Sequence, residues 1–308
     1  MSVQFEFELN NPRTHQLIIE VQDLFIYFSY YYPNNSQFKL DLYQFNIHEE
    51  SSIFDKLKVI LNSQNSICIK ILNSFQGSFY EQVSSWITSN FPNVQLIERK
   101  FDVSNIKLGL TFIQNELKYD TFPDKFMLVT IDNSINFYNI SIANDSAQLV
   151  FTNEISPETI IAIASMHEKN LNFEQFIQDS KNGNKDNLDL LVRDIFGESS
   201  TTAKLHGHIT AASFGKVNNI KNKSSLKLED IGSSLIFIQC INLSQLAVLN
   251  SNLYDIKSIV YSGWFANKFS YIANMIEIGT TFWSASTMQA RVIPITQWVQ
   301  SLGLLNEE

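Results

Sequence analysis

The chain opens with short segments in which apolar and polar side chains alternate, the period-2 pattern of half-buried β-strands. Between residues 5 and 45 these segments read FEFEL, QLIIEV, LFIYFSYYY and KLDLYQF, and the turn-forming stretches NNPR and PNNSQ interrupt them. Consecutive strands with short connections predict an antiparallel meander. The pattern changes at residue 51, where SSIFDKLKVILN has apolar residues at the spacing of one helix face.

Strands and helices then alternate. The pattern predicts a strand, a helix, a strand and a helix at SICIKIL, SFYEQVSSWITSNF, VQLIER and VSNIKLGLTFIQNEL. A second group of strands follows at FMLVTID, INFYNISI and QLVFTNE. The later part is mainly helical, with helices predicted at SPETIIAIASMHE, NFEQFIQDS, NLDLLVRDIF and LEDIGSSLIFIQCINLSQLAVLNS. Two late segments, SIVYSGW and ARVIPIT, alternate with helices as strands do in α/β folds.

This order of elements predicts an α/β fold with two successive lobes. Each lobe begins with an antiparallel meander and continues with alternating helices and strands, which is the duplicated ribonuclease-H-like plan of the actin and sugar-kinase superfamily. We predict an N-terminal ribonuclease-H-like lobe over 1–118 and a C-terminal lobe, richer in helix, over 119–308.

Composition narrows the choice of partners and compartment. The 308 residues are 44% hydrophobic, enough for a sizeable core, and the net charge of -9 argues against nucleic acid or an anionic membrane as partner. The only cysteines, Cys68 and Cys240, lie far apart, so no disulfide framework is expected, and Cys240 sits in an apolar helix pattern. No signal peptide and no apolar run of membrane-spanning length is evident, and we expect a cytoplasmic protein.

Several segments in the second half resemble a known family. DNLDLLVRDIFGE, LHGHITAASFGKV, SLIFIQCINLSQLAVL, IVYSGWF and FWSASTMQARVIPITQWVQSLGLL are similar, in order and spacing, to the C-terminal segments of eukaryotic (type II) pantothenate kinases. The resemblance implies ATP-dependent phosphorylation of pantothenate, the first step of coenzyme A biosynthesis, in a dimer built largely by the C-terminal half. The retained family motifs contain Asp194, Gly197, Ser213, Phe214, Gly215 and Gly263.

The same resemblance places the family's four glycine-rich phosphate turns on segments that lack those glycines. Glycine lets backbone N–H groups approach phosphate without a Cβ in the way, and this chain has only 10 glycines. The resemblance therefore implies that triphosphate binding is lost. The residues at the altered turns are Glu20, Gln22 and Asp23 in the first, Ile71, Leu72 and Asn73 in the second, Asp132 and Ser134 in the third, and Ser156, Pro157 and Glu158 in the fourth.

The catalytic carboxylate of the family is also replaced. The resemblance aligns its general base, the Glu of a KxDE-like segment, with Val103 in KFDVSNI, while Asp102 is kept. Valine accepts no proton, and loss of a positioned base costs about 10²- to 10⁴-fold in rate. An arginine that the family uses beside its substrate falls near Leu149. The remaining acid, Glu20, is a poor magnesium site by itself.

Three functions follow as hypotheses. The first is a pseudoenzyme without catalytic or metal residues and without a cofactor. It acts as a homo- or hetero-oligomer, with an active pantothenate kinase as the candidate partner, or regulates coenzyme A biosynthesis in another way. The second is a divergent but active kinase that uses ATP and Mg²⁺. The third is a sensor of coenzyme A or its thioesters. The scarcity of glycine favours the first.

Other conspicuous residues have ordinary structural explanations. His206 and His208 have no third ligand at metal-binding spacing, so a surface loop is expected. The run Tyr30–Tyr32 alternates along a predicted strand and is expected to cover the core. Asp194 and Gly197 fit a retained motif and ordinary helix capping equally well.

Overall fold

The structure is a computed structural model that describes residues 3–9, 15–22, 25–34, 37–62, 67–73, 78–100, 102–118, 122–132, 134–144, 146–168, 171–197 and 206–305. Its elements up to residue 115 are β1 (Val3–Leu9), β2 (Gln16–Val21), β3 (Phe25–Asn34), β4 (Gln37–Asn46), α1 (Glu50–Asn62), β5 (Cys68–Asn73), α2 (Ser78–Asn90), β6 (Gln95–Lys100) and α3 (Val103–Asn115).

The elements after residue 115 are β7 (Lys125–Ile131), β8 (Ile135–Ser141), β9 (Ser146–Asn153), α4 (Pro157–Ser165), α5 (Phe173–Ser180), β10 (Leu190–Leu191), α6 (Val192–Phe196), β11 (Thr210–Ala212), α7 (Leu228–Leu253), β12 (Ser258–Ser262), α8 (Trp264–Lys268), α9 (Ser270–Trp283), β13 (Gln289–Val292) and α10 (Val299–Leu305). Short 3₁₀ helices occupy 185–187, 217–219, 223–225 and 294–298.

The first sheet has the strand order β1-β4-β3-β2-β5-β6. Strand β2 lies inside it, antiparallel to β3 and parallel to β5, and all six of its residues are buried. Helices α1 and α2 cover one face, where Ile53, Leu57, Val83 and Ile87 join the same apolar cluster as the strands. The predicted meander and the alternation after it are confirmed here.

The second sheet repeats this order. Its strands run β13-β12-β7-β8-β9, so that β7 takes the place of β2, with two parallel neighbours on one side and two strands reached by short connections on the other. Connections of that length join antiparallel strands. The repetition confirms the duplicated α/β plan expected from the sequence.

The compact units are not continuous in sequence. The first contains Met1–Phe126, Tyr138–Leu149 and Pro294–Glu308, and the second contains Met127–Phe137 and Val150–Ile293. The sequence pattern gave no sign that Tyr138–Leu149 and Pro294–Glu308 belong to the same unit as the first part of the chain.

Helix α10 joins the first unit by a close helix–helix contact with α3. A Cβ added to Gly109 would lie 1.7 Å from the carbonyl oxygen of Val299, and one added to Gly303 would lie 2.0 Å from that of Asn105. Only glycine permits this approach. The buried ammonium of Lys70 in β5 donates to the carbonyl oxygen of Leu304 at 2.7 Å, where a cation suits the end of a helix.

Two expectations from the sequence are wrong. The helix predicted at NLDLLVRDIF is divided into a 3₁₀ turn, the two-residue strand β10 and the short helix α6, because β10 pairs with β11. A helix of membrane-spanning length and apolarity also exists: α7 meets that criterion. However, 61% of its most apolar window is buried, and it contacts α4, α5 and α9, as the core helix of a globular unit does.

Candidate functional site

The turn between β2 and β3 is the first of the segments aligned with phosphate turns. Glu20 is fully buried at the end of β2, and its Oε1 accepts a hydrogen bond from Nε2 of Gln22 at 2.8 Å. The backbone N–H of Gln22 donates to the carbonyl oxygen of Phe25 at 2.9 Å. Asp23 lies outside the described residues. The Gln22 amide and N–H thus bind neighbouring protein atoms.

The second segment is not in a turn. Ile71, Leu72 and Asn73 are strand residues of β5, and they pair in parallel with residues 19–21 of β2. Ile71 and Leu72 are fully buried. The alignment placed the family's glycines on these three residues and so expected a turn here. That expectation is wrong, because the three residues lie in the core strand β5. The connection from β5 to α2 spans 74–77, outside the described residues.

The third segment is the turn between β7 and β8. The N–H of Asp132 donates to the carbonyl oxygen of Ser134 at 3.3 Å, and neither residue has positive φ. The Asp132 carboxylate accepts the backbone N–H of Trp264 at 3.3 Å. Burial raises the pKa of Asp132 to about 6, although this hydrogen bond acts in the opposite direction. A carboxylate thus occupies a position where phosphate binding would require neutral backbone donors.

Gly263 allows the start of α8 to approach this turn. Its φ is +94°, and a Cβ there would lie 2.4 Å from the carbonyl oxygen of Ile131. No other residue type fits that conformation and that space. The retained Gly263 therefore has a clear structural role beside β7.

The fourth segment forms the N-terminus of α4. Ser156 is the N-cap, and Pro157 follows in the first turn, where it supplies no N–H. The N–H of Ser156 donates to Oγ1 of Thr159 at 3.2 Å, and the N–H of Thr159 donates to the carbonyl oxygen of Ser156 at 3.0 Å. Glu158 adds a negative charge to the same turn. A helix terminus that begins with a proline, uses the N–H groups of Ser156 and Thr159 internally and carries an acid in its first turn is unsuited to an anion.

The segment aligned with the catalytic base starts α3. Asp102 is the exposed N-cap, and its carboxylate accepts the N–H of Ser104 at 2.9 Å. Val103 is the first helical residue and is half-buried. The acid retained from the motif therefore caps a helix, and the neighbouring position has no titratable group.

The retained motifs come together in the second unit. The Asp194 carboxylate accepts the N–H of Leu191 at 2.8 Å and pairs with the Lys216 ammonium at 2.6 Å, and these contacts, the lysine first, lower its pKa. Gly197 ends α6 with φ +80°, and its N–H donates to the carbonyl oxygen of Arg193. These contacts are capping contacts, as one of the two sequence hypotheses expected.

The turn that contains Ser213, Phe214 and Gly215 is held by an aspartate that the sequence analysis did not single out. Asp189 is fully buried, and its Oδ1 accepts the N–H of Phe214 at 2.9 Å and the hydroxyl of Ser234. Phe214 has φ +56°, and a Cβ on Gly215 would lie 2.6 Å from Cβ of Leu190. The apolar periodicity of 187–196 concealed this role, since it predicted a helix in which Asp189 would be an ordinary polar position.

Further ion pairs surround this turn. Lys185 lies 3.3 Å from Asp186 and 4.0 Å from Asp189, and Arg193 lies 3.0 Å from Asp186. The cations are thus paired with acids of the same cluster. Ser213 makes no hydrogen bond to a histidine or carboxylate within the described part of the chain, so nothing there activates it as a nucleophile.

The remaining conspicuous residues behave as structural groups. His206 and His208 are exposed, and His208 lies 2.9 Å from Arg193. Across the ranges that the structure describes, no group of three or more His, Cys, Asp or Glu residues has the arrangement of a metal site. Tyr30 and Tyr31 are buried, Tyr32 stacks on Tyr30, and Cys240 is buried.

Comparison with known proteins identifies the family. The family model described as Fumble matches residues 85–307, most of the chain. The chain belongs to this family, that of the eukaryotic pantothenate kinases. The match includes α3 and all of the retained motifs but begins after β2 and β5, where two of the altered segments lie.

Curated relatives in the pantothenate kinase family are distant. Pantothenate kinase 2 of Oryza sativa subsp. japonica is 26% identical over 60% of this chain and 20% of its own length. Pantothenate kinase 1 of Arabidopsis thaliana is 23% identical over 63% of this chain and 52% of its own length. A mouse protein named 4'-phosphopantetheine phosphatase is 25% identical over 59% of this chain and 22% of its own. The chain thus matches about half or less of the length of these relatives.

Similarity to solved structures is weaker. A ROK family glucokinase from Streptomyces griseus, solved with glucose and AMPPNP, aligns over 95% of this chain and 97% of its own at 8% identity, with a TM-score of 0.48.

Proposed function

We propose that this member of the pantothenate kinase family is a pseudoenzyme: it neither binds ATP productively nor phosphorylates pantothenate, and it acts as a non-catalytic partner or regulator in coenzyme A biosynthesis. It requires no cofactor. Membership of the family supports the link to coenzyme A, and the local geometry of the altered segments supports the loss of catalysis.

The N-terminus of α4 is the observation that carries the proposal. Pro157 removes one of the backbone donors that an anion would use. The N–H of Ser156 donates to the hydroxyl oxygen of Thr159, and the N–H of Thr159 donates to the carbonyl oxygen of Ser156. Glu158 then places a carboxylate in the first turn, where the helix dipole would otherwise attract phosphate. A phosphate site at this terminus would require changes at several of these residues together. The proposed loss of phosphate binding therefore does not depend on any single substitution.

Two further observations agree with it. Asp132 adds a second carboxylate at the turn between β7 and β8, and Val103 supplies no base at the start of α3. Without a positioned base and phosphate donors, phosphoryl transfer loses both orientation and charge stabilisation.

A binding and turnover experiment tests the proposal. The purified chain is heated with and without millimolar ATP and Mg²⁺, and pantothenate phosphorylation is assayed in parallel, with Arabidopsis pantothenate kinase 1 as the positive control. A ligand at a hundred times its Kd stabilises a protein by about 2.7 kcal/mol, so binding would raise the Tm measurably. We expect no change in Tm and no product.

The divergent-kinase hypothesis predicts the opposite. It requires an ATP-dependent rise in Tm that Mg²⁺ alone does not produce, together with turnover above a mock preparation. Activity that disappears in Asp102→Asn, a variant that retains a capping oxygen, would establish an active enzyme and end the pseudoenzyme proposal.

A further inference from the structure

Strand β9 (Ser146–Asn153) forms an open edge of the second sheet, which we call the β9 edge. In the strand order β13-β12-β7-β8-β9 it is the last member, so only β8 pairs with it. Every second residue of such an edge directs its backbone N–H and C=O away from the sheet. Within the described part of the chain, the backbone of residues 146–153 makes no hydrogen bond outside the sheet. At about 3.3 Å per residue, these eight residues make the edge about 26 Å long.

The other edges of the two large sheets carry charged side chains. Charges are one of the means by which proteins keep an exposed edge from pairing with another chain. The charged residues are Glu6 and Glu8 in β1, Glu98, Arg99 and Lys100 in β6, and Arg291 in β13. Strand β9 reads SAQLVFTN, with neither a charge nor a proline. Among the four edge strands that the structure describes in these sheets, β9 alone therefore lacks residues that oppose pairing.

On one face of the sheet, an apolar row stops at the β9 edge. Leu149 and Phe151 lie two positions apart in the strand and so point to the same face. The Phe151 ring contacts that of Phe137 in β8, with centroids 5.3 Å apart. Phe137 is fully buried, whereas Phe151 is 37% exposed and Leu149 is 40% exposed. A further strand beside β9 would place side chains next to Leu149 and Phe151 and cover them.

The opposite face of β9 is mainly polar. Gln148 and Thr152 lie on either side of Val150 on this face. The hydroxyl of Thr152 already donates across to the side-chain oxygen of Asn136 in β8, at 2.9 Å. Cross-strand neighbours favour like with like, apolar beside apolar and hydroxyl beside hydroxyl. A strand that matches β9 therefore alternates apolar residues, on the side of Phe151, with uncharged polar residues such as threonine.

The backbone of the β9 edge selects an extended ligand. A helix uses its own N–H and C=O groups internally, so it leaves those of an edge strand without partners. An added strand pairs with them, and this pairing supplies affinity while the alternate side chains supply selectivity. The strands that the structure describes, β1 to β13, all have places in sheets, so none of them remains to cover β9.

We infer that the β9 edge is a docking site for an extended segment of a partner protein, which adds a strand to the second sheet. The segment alternates apolar residues with uncharged polar ones, and its apolar side chains pack on Leu149 and Phe151. This inference does not depend on whether the protein is catalytic.

Hydrogen exchange of the full chain with a probe peptide tests the inference. The probe alternates threonine with valine or phenylalanine over about seven residues and has a lysine at each end. The control peptide has prolines in place of two inner threonines, which removes N–H groups and opposes strand pairing. With about nine-tenths of the chain bound to the probe, outward amides of residues 146–153 should exchange about tenfold more slowly, because only the free chain exposes them. The charged edge at residues 95–100 should not change.

A charge at the β9 edge should weaken the docking. Leu149→Lys gives β9 the protection that the other edges have, and it should reduce the affinity for the probe about fivefold, the effect of losing one cross-strand pair. Val59→Lys, at an exposed apolar side chain of α1, is the matched control and should bind the probe as the unaltered chain does. Melting curves of both variants establish that they are folded.

Several results would overturn the inference. It is wrong if the probe does not bind at about 1 mM, if the proline-containing peptide binds equally well, or if residues 146–153 gain no protection. It is also wrong if Leu149→Lys binds the probe with unchanged affinity. A mass by light scattering that falls when the probe is added would show that a second copy of the chain, and not a partner segment, occupies the β9 edge.

Discussion

At the scale of single residues, Asp132 shows how a buried carboxylate in the turn between β7 and β8 affects the stability of the fold. Its carboxylate is held against the start of α8 by the N–H of Trp264, in surroundings that disfavour the charged form. The turn is compatible with an aspartate, but the folded state gains little from its charge. The cost should be visible in the pH dependence of stability.

We predict that Asp132 makes the protein less stable as the pH rises from about 4 to about 6. Its pKa in the folded state, raised to about 6, exceeds the ordinary aspartate pKa of 3.8, so in this window the folded state binds more protons than the unfolded state and the free energy of unfolding falls as pH rises. Asp132→Asn keeps the acceptor for Trp264. Because the side chain is still partly exposed, it should stabilise by only about 1 kcal/mol at pH 7.

Urea unfolding at pH 4.5 and pH 7 measures this difference. Asp124→Asn, at an exposed aspartate, serves as the control and should show no such gain. Equal stability of Asp132→Asn and the unaltered chain at pH 7, with the same pH dependence, would contradict the assignment.

At the scale of elements, the segment 185–219 depends on contacts that are distant in sequence. Asp189 binds the backbone of Phe214 and the hydroxyl of Ser234, while Asp194 binds Leu191 and Lys216 at the surface. Burial distinguishes these two aspartates: Asp189 is fully buried, whereas Asp194 keeps 28% of its side chain exposed. Their removal should therefore have unequal effects.

Asp189→Ala should lower the free energy of unfolding by about 3 kcal/mol, because it leaves the N–H of Phe214 and the hydroxyl of Ser234 buried without their acceptor. Asp194→Ala removes a solvent-screened pair and should cost clearly less. Chemical denaturation of both variants gives the comparison. If the two losses were equal, or Asp194→Ala were the worse, Asp189 would not be the anchor of this turn.

The same segment shows where prediction from sequence ends. Alternating strands such as β1 and amphipathic helices such as α1 were predictable because their patterns are local. The interruption of the predicted helix at Asp189 was not predictable, because Asp189 accepts hydrogen bonds from Phe214 and Ser234, which lie 25 and 45 positions further along the chain. The strand pattern predicted Ile71 and Leu72 in β5, but the motif comparison placed the same residues in a turn, because a comparison without geometry does not fix where a strand ends. The return of α10 rests on glycines 109 and 303, which carry no signal in a single sequence.

At the scale of the whole molecule, the second unit leaves large apolar side chains uncovered on two helices in contact. Ser244 of α7 donates to the carbonyl oxygen of Ile276 in α9, and the Trp283 indole donates to that of Ile241, so the helices run antiparallel. Exposed large apolar groups on adjoining elements are typical of interaction surfaces. These side chains are Leu249 and Leu253 near the C-terminal end of α7 and Ile278, Phe282 and Trp283 in α9, and we call the set the α7/α9 surface.

We propose that the α7/α9 surface mediates oligomerisation, with a second copy in the pure protein and preferentially with an active pantothenate kinase where one exists. Light scattering of the purified chain should give more than the monomer mass. The double variant Leu253→Lys and Ile278→Lys changes side chains that are 78% and 59% exposed, so it should remain folded but give the monomer mass. Val59→Lys, at a side chain 65% exposed in the first unit, is the matched control and should not change the mass. A chain that is monomeric at all concentrations, and that does not co-purify with the kinase, would remove the partner role and leave a sensor of coenzyme A or its thioesters as the better explanation of an inactive family member.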